Sequence, residues 1–169
     1  MPDAFVGIGS NVKPDENVRR AVRLLSQEVH VAGVSTVYET EAEGRPEQPR
    51  YYNCVVEIET EAPPGDLKRS LRGIEDRMGR ERSDDRYAPR IIDLDLLMYD
   101  DLTAQSEEMT LPHPDIAQRP YLAVALAELA PELTIPGTKM TLQELAQRLP
   151  EKGMRPLDEY TSALRREVA

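Results

Sequence analysis

The sequence predicts an α+β fold in which helices back an antiparallel sheet. Three observations carry that expectation. Apolar runs of strand length, such as AFVGIG at 4–9 and IIDLDLLMY at 91–99, are separated by stretches with helical repeats. The elements follow the order strand, helix, strand, strand, helix, strand. The chain has 169 residues and 40% hydrophobic content, which suits one compact domain with a sizeable core.

The elements follow in order. After the strand at 4–9, Pro14 opens a helix, DENVRRAVRLLSQEV, whose Val18, Val22 and Leu25 recur on one face. VAGVSTVYE (31–39) reads as a strand, TEAEGRPEQPR (40–50) as a long polar loop, and YYNCVVEIET (51–60) as the next strand. PPGDLKRSLRGIEDRMG (63–79) repeats Leu67, Leu71, Ile74 and Met78 at helical spacing, with Pro64 in the first turn and Gly79 at the stop. A second long loop leads into the strand at 91–99. Further helices are expected around 119–130, begun by Pro120, and at 141–149. This order is the ferredoxin-like split pattern. Residues 1–169 are read as one domain, with 150–169 as a C-terminal extension whose final part is a polar helix of unassigned role.

Composition narrows the function. Twenty-one Lys and Arg stand against 31 Asp and Glu, and the net charge of −10 argues against a broad nucleic-acid surface. Small molecules are the expected partners. No stretch approaches membrane-spanning length, and the N-terminal residues lack the basic start and apolar run of a signal peptide, so a cytoplasmic location is expected. The single cysteine, Cys54, lies in an apolar run and reads as a core residue.

The strand at 91–99 contains two aspartates. Side chains alternate along a strand, so Asp93 and Asp95 share a face with α carbons roughly 6–7 Å apart. Two adjacent carboxylates repel, and such a pair requires metal ions, arginines or open water on its face. The preceding loop, RERSDDRYAPR (80–90), supplies Arg80, Arg82, Arg86 and Arg90 against three acids. Arginine forks suit phosphate oxygens, and carboxylates with Mg²⁺ are their usual complement around a polyphosphate. An internally paired, solvated loop is the competing reading. GIGSN (7–11) lets backbone approach a ligand but lacks the lysine of a phosphate-binding loop. In LPHPDIAQRPY (111–121), His113 either donates to a phosphate or caps a turn. His30 reads as structural.

GSN after the first strand, YYNCVVEIET, RYAPRIIDLDLLMYD and LPHPDIAQRPYL together resemble the hydroxymethyldihydropterin pyrophosphokinase family of folate biosynthesis, in order from about residue 4 to 149. The resemblance implies transfer of pyrophosphate from ATP to the 6-hydroxymethyl group of a dihydropterin, with release of AMP. It makes Asp93 and Asp95 ligands of two magnesium ions, and Arg80, Arg82 and Arg90 catalytic phosphate-holding groups. Glu75, Arg86, His113 and Arg119 fall on the ATP side. Tyr51, Asn53 and Tyr121 correspond to pterin contacts, with Thr40 and Gly44 also assigned to that substrate. Aromatic faces and an amide suit a flat heterocycle with a hydrogen-bonding edge. The chain departs from the family where Thr40, Glu41, Ala42 and Glu43 replace a proline-rich loop, at Tyr87 in place of a tryptophan, and at Pro114 in place of a tyrosine.

Two other readings remain: a non-catalytic nucleotide or pterin sensor, which does not need both aspartates, and a metal-dependent phosphohydrolase, which would turn them on water. Both long loops are expected to be lids, whose arginines meet phosphate only when ATP is bound.

Overall fold

A computed structural model describes residues 1–169. The elements are β1 (Asp3–Ser10), α1 (Pro14–Glu28), β2 (His30–Val34), β3 (Tyr38–Thr40), β4 (Tyr51–Glu59), α2 (Pro64–Arg77), β5 (Asp93–Tyr99), the short β6 (Ala104–Gln105) and β7 (Thr110–Leu111), a 3₁₀ turn (Pro114–Ala117), α3 (Pro120–Leu129), α4 (Leu142–Arg148), β8 (Met154–Pro156) and α5 (Asp158–Val168). The result is a mixed α/β architecture on a six-stranded antiparallel sheet, ordered β5-β1-β4-β3-β8, with β2 also pairing β4. No helix is long and apolar enough to cross a membrane.

Alternation along the strands divides the core in two. Ile8, Cys54, Leu94 and Leu96 face one side, where they pack with Val18, Val22 and Leu25 of α1 and Leu67, Leu71 and Ile74 of α2. Phe5, Val55 and Leu97 face the other side and meet Leu122, Ala125 and Leu126 of α3 and Leu142 of α4. Thr141 begins α4 with a reciprocal capping box to Glu144. Near the β1–β4–β5 centre this second face is left uncovered, which makes room for a cleft.

The expected strand at 31–39 is interrupted. Ser35 breaks it: its backbone N–H donates to Val55 O (2.9 Å), and its Oγ accepts from Val55 N (2.8 Å). Thr36 then turns its N–H to Glu128 instead of a strand neighbour. A side chain satisfying the partner's backbone ends the ladder and starts β3 afresh.

The C-terminal residues have a structural place that the polar composition of 156–169 concealed. β8 pairs antiparallel with β3 and covers its outer edge. Leu164 of α5 is fully buried in the first core, and Thr161 Oγ1 accepts from Val37 N at 2.9 Å, inside the β2–β3 break. Tyr160 meets Tyr52 edge to face, with centroids 5.3 Å apart. Leu164→Ala should therefore destabilise the protein by about 2–5 kcal/mol in urea unfolding; a loss under about 1 kcal/mol would mean that α5 is only loosely attached.

Candidate active site

The uncovered part of the sheet floors a cleft of about 350 Å³. Asp93 and Asp95 stand on it from β5, opposite Gly9 and Gly7 of β1, and Gly9 in turn pairs with Asn53 of β4. A Cβ at position 9 would lie 2.5 Å from Asn53 Oδ1. Glycine there keeps the floor low enough for the carboxylates and the amide to face one space. The GIGSN glycines thus work inside a central strand rather than in a phosphate-cradling loop.

The cleft brings together ten of the residues singled out from sequence. Asp93, Asp95, Arg86, Arg90, His113 and Arg119 line it on one side, and Thr40, Tyr51, Asn53 and Tyr121 on the other. Asn53 is buried and donates from Nδ2 to Thr40 Oγ1 at 2.8 Å, which fixes the amide's orientation. Burial pushes the Tyr121 hydroxyl up to about 12 and raises Tyr51, so both rings present neutral faces. Of the two sequence readings of His113, the structure shows the turn cap. Its Nδ1 accepts from Asp115 N at 3.1 Å and caps the 3₁₀ turn, which leaves Nε2 for the cleft. Burial lowers its pKa, against the pull of Asp115 and Asp93.

Arg80, Arg82, Glu75 and Gly44 lie outside the lining. Arg80 stands behind Asp93, donating from Nη1 to Asp93 Oδ1 (3.0 Å) and to Glu75 Oε2 (2.5 Å). Arg82 reaches Glu75 Oε1 (2.9 Å) and Asp76 (2.5 Å). Gly44 takes φ 77° beneath Tyr87, whose ring a Cβ would strike at 2.6 Å.

Three of the four loop arginines, Arg80, Arg82 and Arg90, pair with carboxylates, as the internally paired reading of the loop expects, while Arg86 lies over the Tyr87 ring. Arg90 Nη1 holds Asp93 Oδ2 at 2.9 Å, and Arg119 pairs with both Asp115 and Glu43. Without phosphate, carboxylates are the strongest acceptors within reach. The two long loops are also joined to each other, through Arg45 with Asp85 and Gln48 Nε2 with Tyr87 O (3.0 Å).

Sequence reasoning gave no individual role to Asn11. It is buried, its Oδ1 accepts from Arg90 N (2.8 Å), and its Nδ2 donates to Gln48 Oε1 (3.2 Å) and Pro49 O (3.3 Å). One amide at the end of β1 anchors both loops. A polar residue directly following a buried strand was the available signal.

The two aspartates are not alike. Asp93 is held by Arg80 and Arg90, whereas no cationic side chain pairs with Asp95. Burial, then the neighbouring Asp93 and Glu75 charges, push Asp95 up to about 8. Hard carboxylate oxygens lacking a cation at the base of a polar cleft fit a divalent ion such as Mg²⁺. No cluster of three or more His, Cys, Asp or Glu forms a complete cage. The remaining ligands would come from water and a bound phosphate chain, as is usual for Mg²⁺.

Comparison with known proteins identifies the family. Residues 5–131 match the model of the 7,8-dihydro-6-hydroxymethylpterin-pyrophosphokinase (HPPK) family. The chain belongs to the HPPK family. It is 35% identical over 150 residues to the 2-amino-4-hydroxy-6-hydroxymethyldihydropteridine pyrophosphokinase of Haemophilus influenzae, covering 87% of this chain and 93% of that protein. It is 36% identical over 155 residues to the folic acid synthesis protein fol1 of Schizosaccharomyces pombe, of which it spans only 21%. Among solved structures, Plasmodium falciparum HPPK-DHPS with pteroate superposes with a TM-score of 0.70 at 14% identity, over 87% of this chain and 44% of that one. That likeness is one of fold.

In this HPPK chain the raised Asp95 has a stability consequence. An unfolded aspartate ionises near pH 3.9, whereas burial and the neighbouring Asp93 and Glu75 charges hold the pKa of folded Asp95 well above that value. Between those values the folded state binds the extra proton, so without divalent ions this group erodes stability as pH rises. Asp95→Asn should melt higher than wild type at pH 8, by about 2–4 °C for each kcal/mol relieved, with a smaller difference at pH 5. A variant no more stable at pH 8 would show that Asp95 is not strained by its surroundings.

Proposed function

We infer that the chain transfers pyrophosphate from ATP to the hydroxymethyl group of 6-hydroxymethyl-7,8-dihydropterin, releasing AMP, in folate biosynthesis. The observation that carries this reading is the convergence, across two glycines, of an arginine-ringed carboxylate pair and an oriented asparagine between tyrosines. Few substrate pairs need both halves. The strand order β5-β1-β4-β2 supports the ferredoxin-like description of the frame.

In the reaction the pterin hydroxyl oxygen attacks the β-phosphorus. The bond from that phosphorus to the oxygen bridging the α-phosphate breaks, AMP departs with that oxygen, and the hydroxyl proton passes to solvent. Asn53, held by Thr40, reads the pterin edge, while Tyr51 and Tyr121 confine the ring so that its hydroxymethyl group points toward β5. Arg86, Arg90, Arg119 and His113 Nε2 take the phosphate oxygens, and Arg90 and Arg119 exchange carboxylate partners for phosphate. Arg80 and Arg82 support this charge from behind Asp93, and Glu75 holds them. Gly44 lets its loop pass beneath Tyr87. Mg²⁺, two ions held by Asp93 and Asp95, would neutralise the triphosphate and acidify the attacking hydroxyl. With that charge compensation no strong general base is required of the chain. ATP and a reduced pterin are small intracellular metabolites, so we assign the cytoplasm as the site of action and no nucleic-acid partner.

Incubation of the protein with ATP, Mg²⁺ and the hydroxymethyldihydropterin should yield AMP only when the pterin is present. Asp93→Asn and Asp95→Asn should each lower turnover by at least about a hundredfold while the fold persists, because an amide is a poor Mg²⁺ ligand. Phosphate release without pterin would point to a hydrolase, and binding without turnover to a sensor.

A further inference from the structure

Glu75 is the one charged residue that the fold buries. Its side chain is 7% exposed, and its two oxygens take three donors from two parts of the chain, the 80–90 loop and β5. Oε2 accepts from Arg80 Nη1 at 2.5 Å and from Leu94 N at 2.8 Å, and Oε1 accepts from Arg82 Nη2 at 2.9 Å. Leu94 lies between Asp93 and Asp95 in β5, an edge strand of the sheet. The Leu94 N–H points away from β1, where no strand is present to receive it. A buried N–H without a partner is destabilising, and Glu75 supplies that partner. Arg80, on the same oxygen, reaches onward to Asp93 Oδ1 at 3.0 Å.

From this we propose that Glu75 is the positioning residue of the aspartate pair: one oxygen holds the backbone between Asp93 and Asp95, and through Arg80 it orients the Asp93 carboxylate. The proposal rests on the pyrophosphokinase reading for what the pair does, but not for how it is held. It also explains why a carboxylate sits at this point of α2 among Leu71, Ile74 and Met78. A glutamate on the buried side of an amphipathic helix is destabilising unless it is paired, and here every oxygen is engaged. Arg90 holds the other oxygen of Asp93 until it turns to phosphate, after which Arg80 and Glu75 are what remains to orient the carboxylate. Asp95 has no such support and depends on the backbone register that Leu94 secures.

Two substitutions separate the parts of this role. Glu75→Gln keeps an oxygen for the Leu94 N–H but loses the charge that holds Arg80, and Glu75→Ala loses both. Outer residues that orient metal ligands typically change affinity or activity by 10–100-fold, so AMP formation should fall by about 10-fold in Glu75→Gln and about 100-fold in Glu75→Ala. Calorimetric binding of a non-hydrolysable ATP analogue with Mn²⁺ gives a readout independent of turnover, and should weaken in the same order. In an Arg80→Ala background, Glu75→Gln should add less than about twofold to either loss, because residues acting as a unit are not additive.

Equal fold-losses for Glu75→Gln in the two backgrounds would overturn the proposal, since they indicate a general loosening of the fold. Unchanged kinetics and binding in both Glu75 variants would overturn it as well. If the wild type formed no AMP, the pyrophosphokinase reading would fail, while the coupling between Glu75 and Arg80 in analogue binding would still decide the positioning role.

Discussion

Like charges on one face of an edge strand are the constraint around which the rest of this site is arranged. β5 must turn Leu94 and Leu96 into the core, so Asp93 and Asp95 have to share the opposite face. Their repulsion is met unequally. Two arginines neutralise Asp93, while Asp95 keeps a proton well above the usual carboxylate range. Gly7 and Gly9 clear the neighbouring strand, Glu75 secures the backbone between the pair, and Asn11 anchors the loop that delivers Arg90. Each makes sense as an accommodation of two carboxylates that stability alone would not place together.

Charge also governs the cleft's rim. Although the chain is acidic overall, with a net charge of −10, the rim presents Arg86, Arg90 and Arg119. Glu43, in the stretch that departs from the family's proline-rich loop, occupies Arg119 in the absence of ligand. Any phosphate that takes Arg119 must displace it. Glu43 is exposed to solvent, so water and salt weaken its hold on the half-buried Arg119. The loops are therefore tethered but not locked. They are joined to each other by Arg45 with Asp85 and by Gln48 with the Tyr87 carbonyl.

Much of this was legible in the sequence, because it follows from periodicity. Alternation placed Tyr51 beside Asn53 and Asp93 beside Asp95, and helical spacing found the buried faces of α1 and α2. Ser35 was not legible as a strand break, because the hydrogen bond that ends the ladder comes from a residue 20 positions away. Nor did polar composition reveal that β8 closes the sheet edge, since three residues of strand leave little pattern, although Tyr160, Leu164 and Val168 at helical spacing were the signal that α5 docks on the first core. The arginines were recognisable as anion-seeking, but their layering was not. Only the fold decides that Arg90 lines the cleft while Arg80 and Arg82 stand behind it on Glu75.

Counting divalent ions probes the central constraint most directly. Mn²⁺ titrated into the protein with a non-hydrolysable ATP analogue, and followed by electron paramagnetic resonance, should bind at about two ions per chain, with at least one lost in Asp95→Asn. Unchanged number and affinity of bound Mn²⁺ in that variant would contradict the role given to the pair, and would mean that the cleft holds its phosphates by arginine alone.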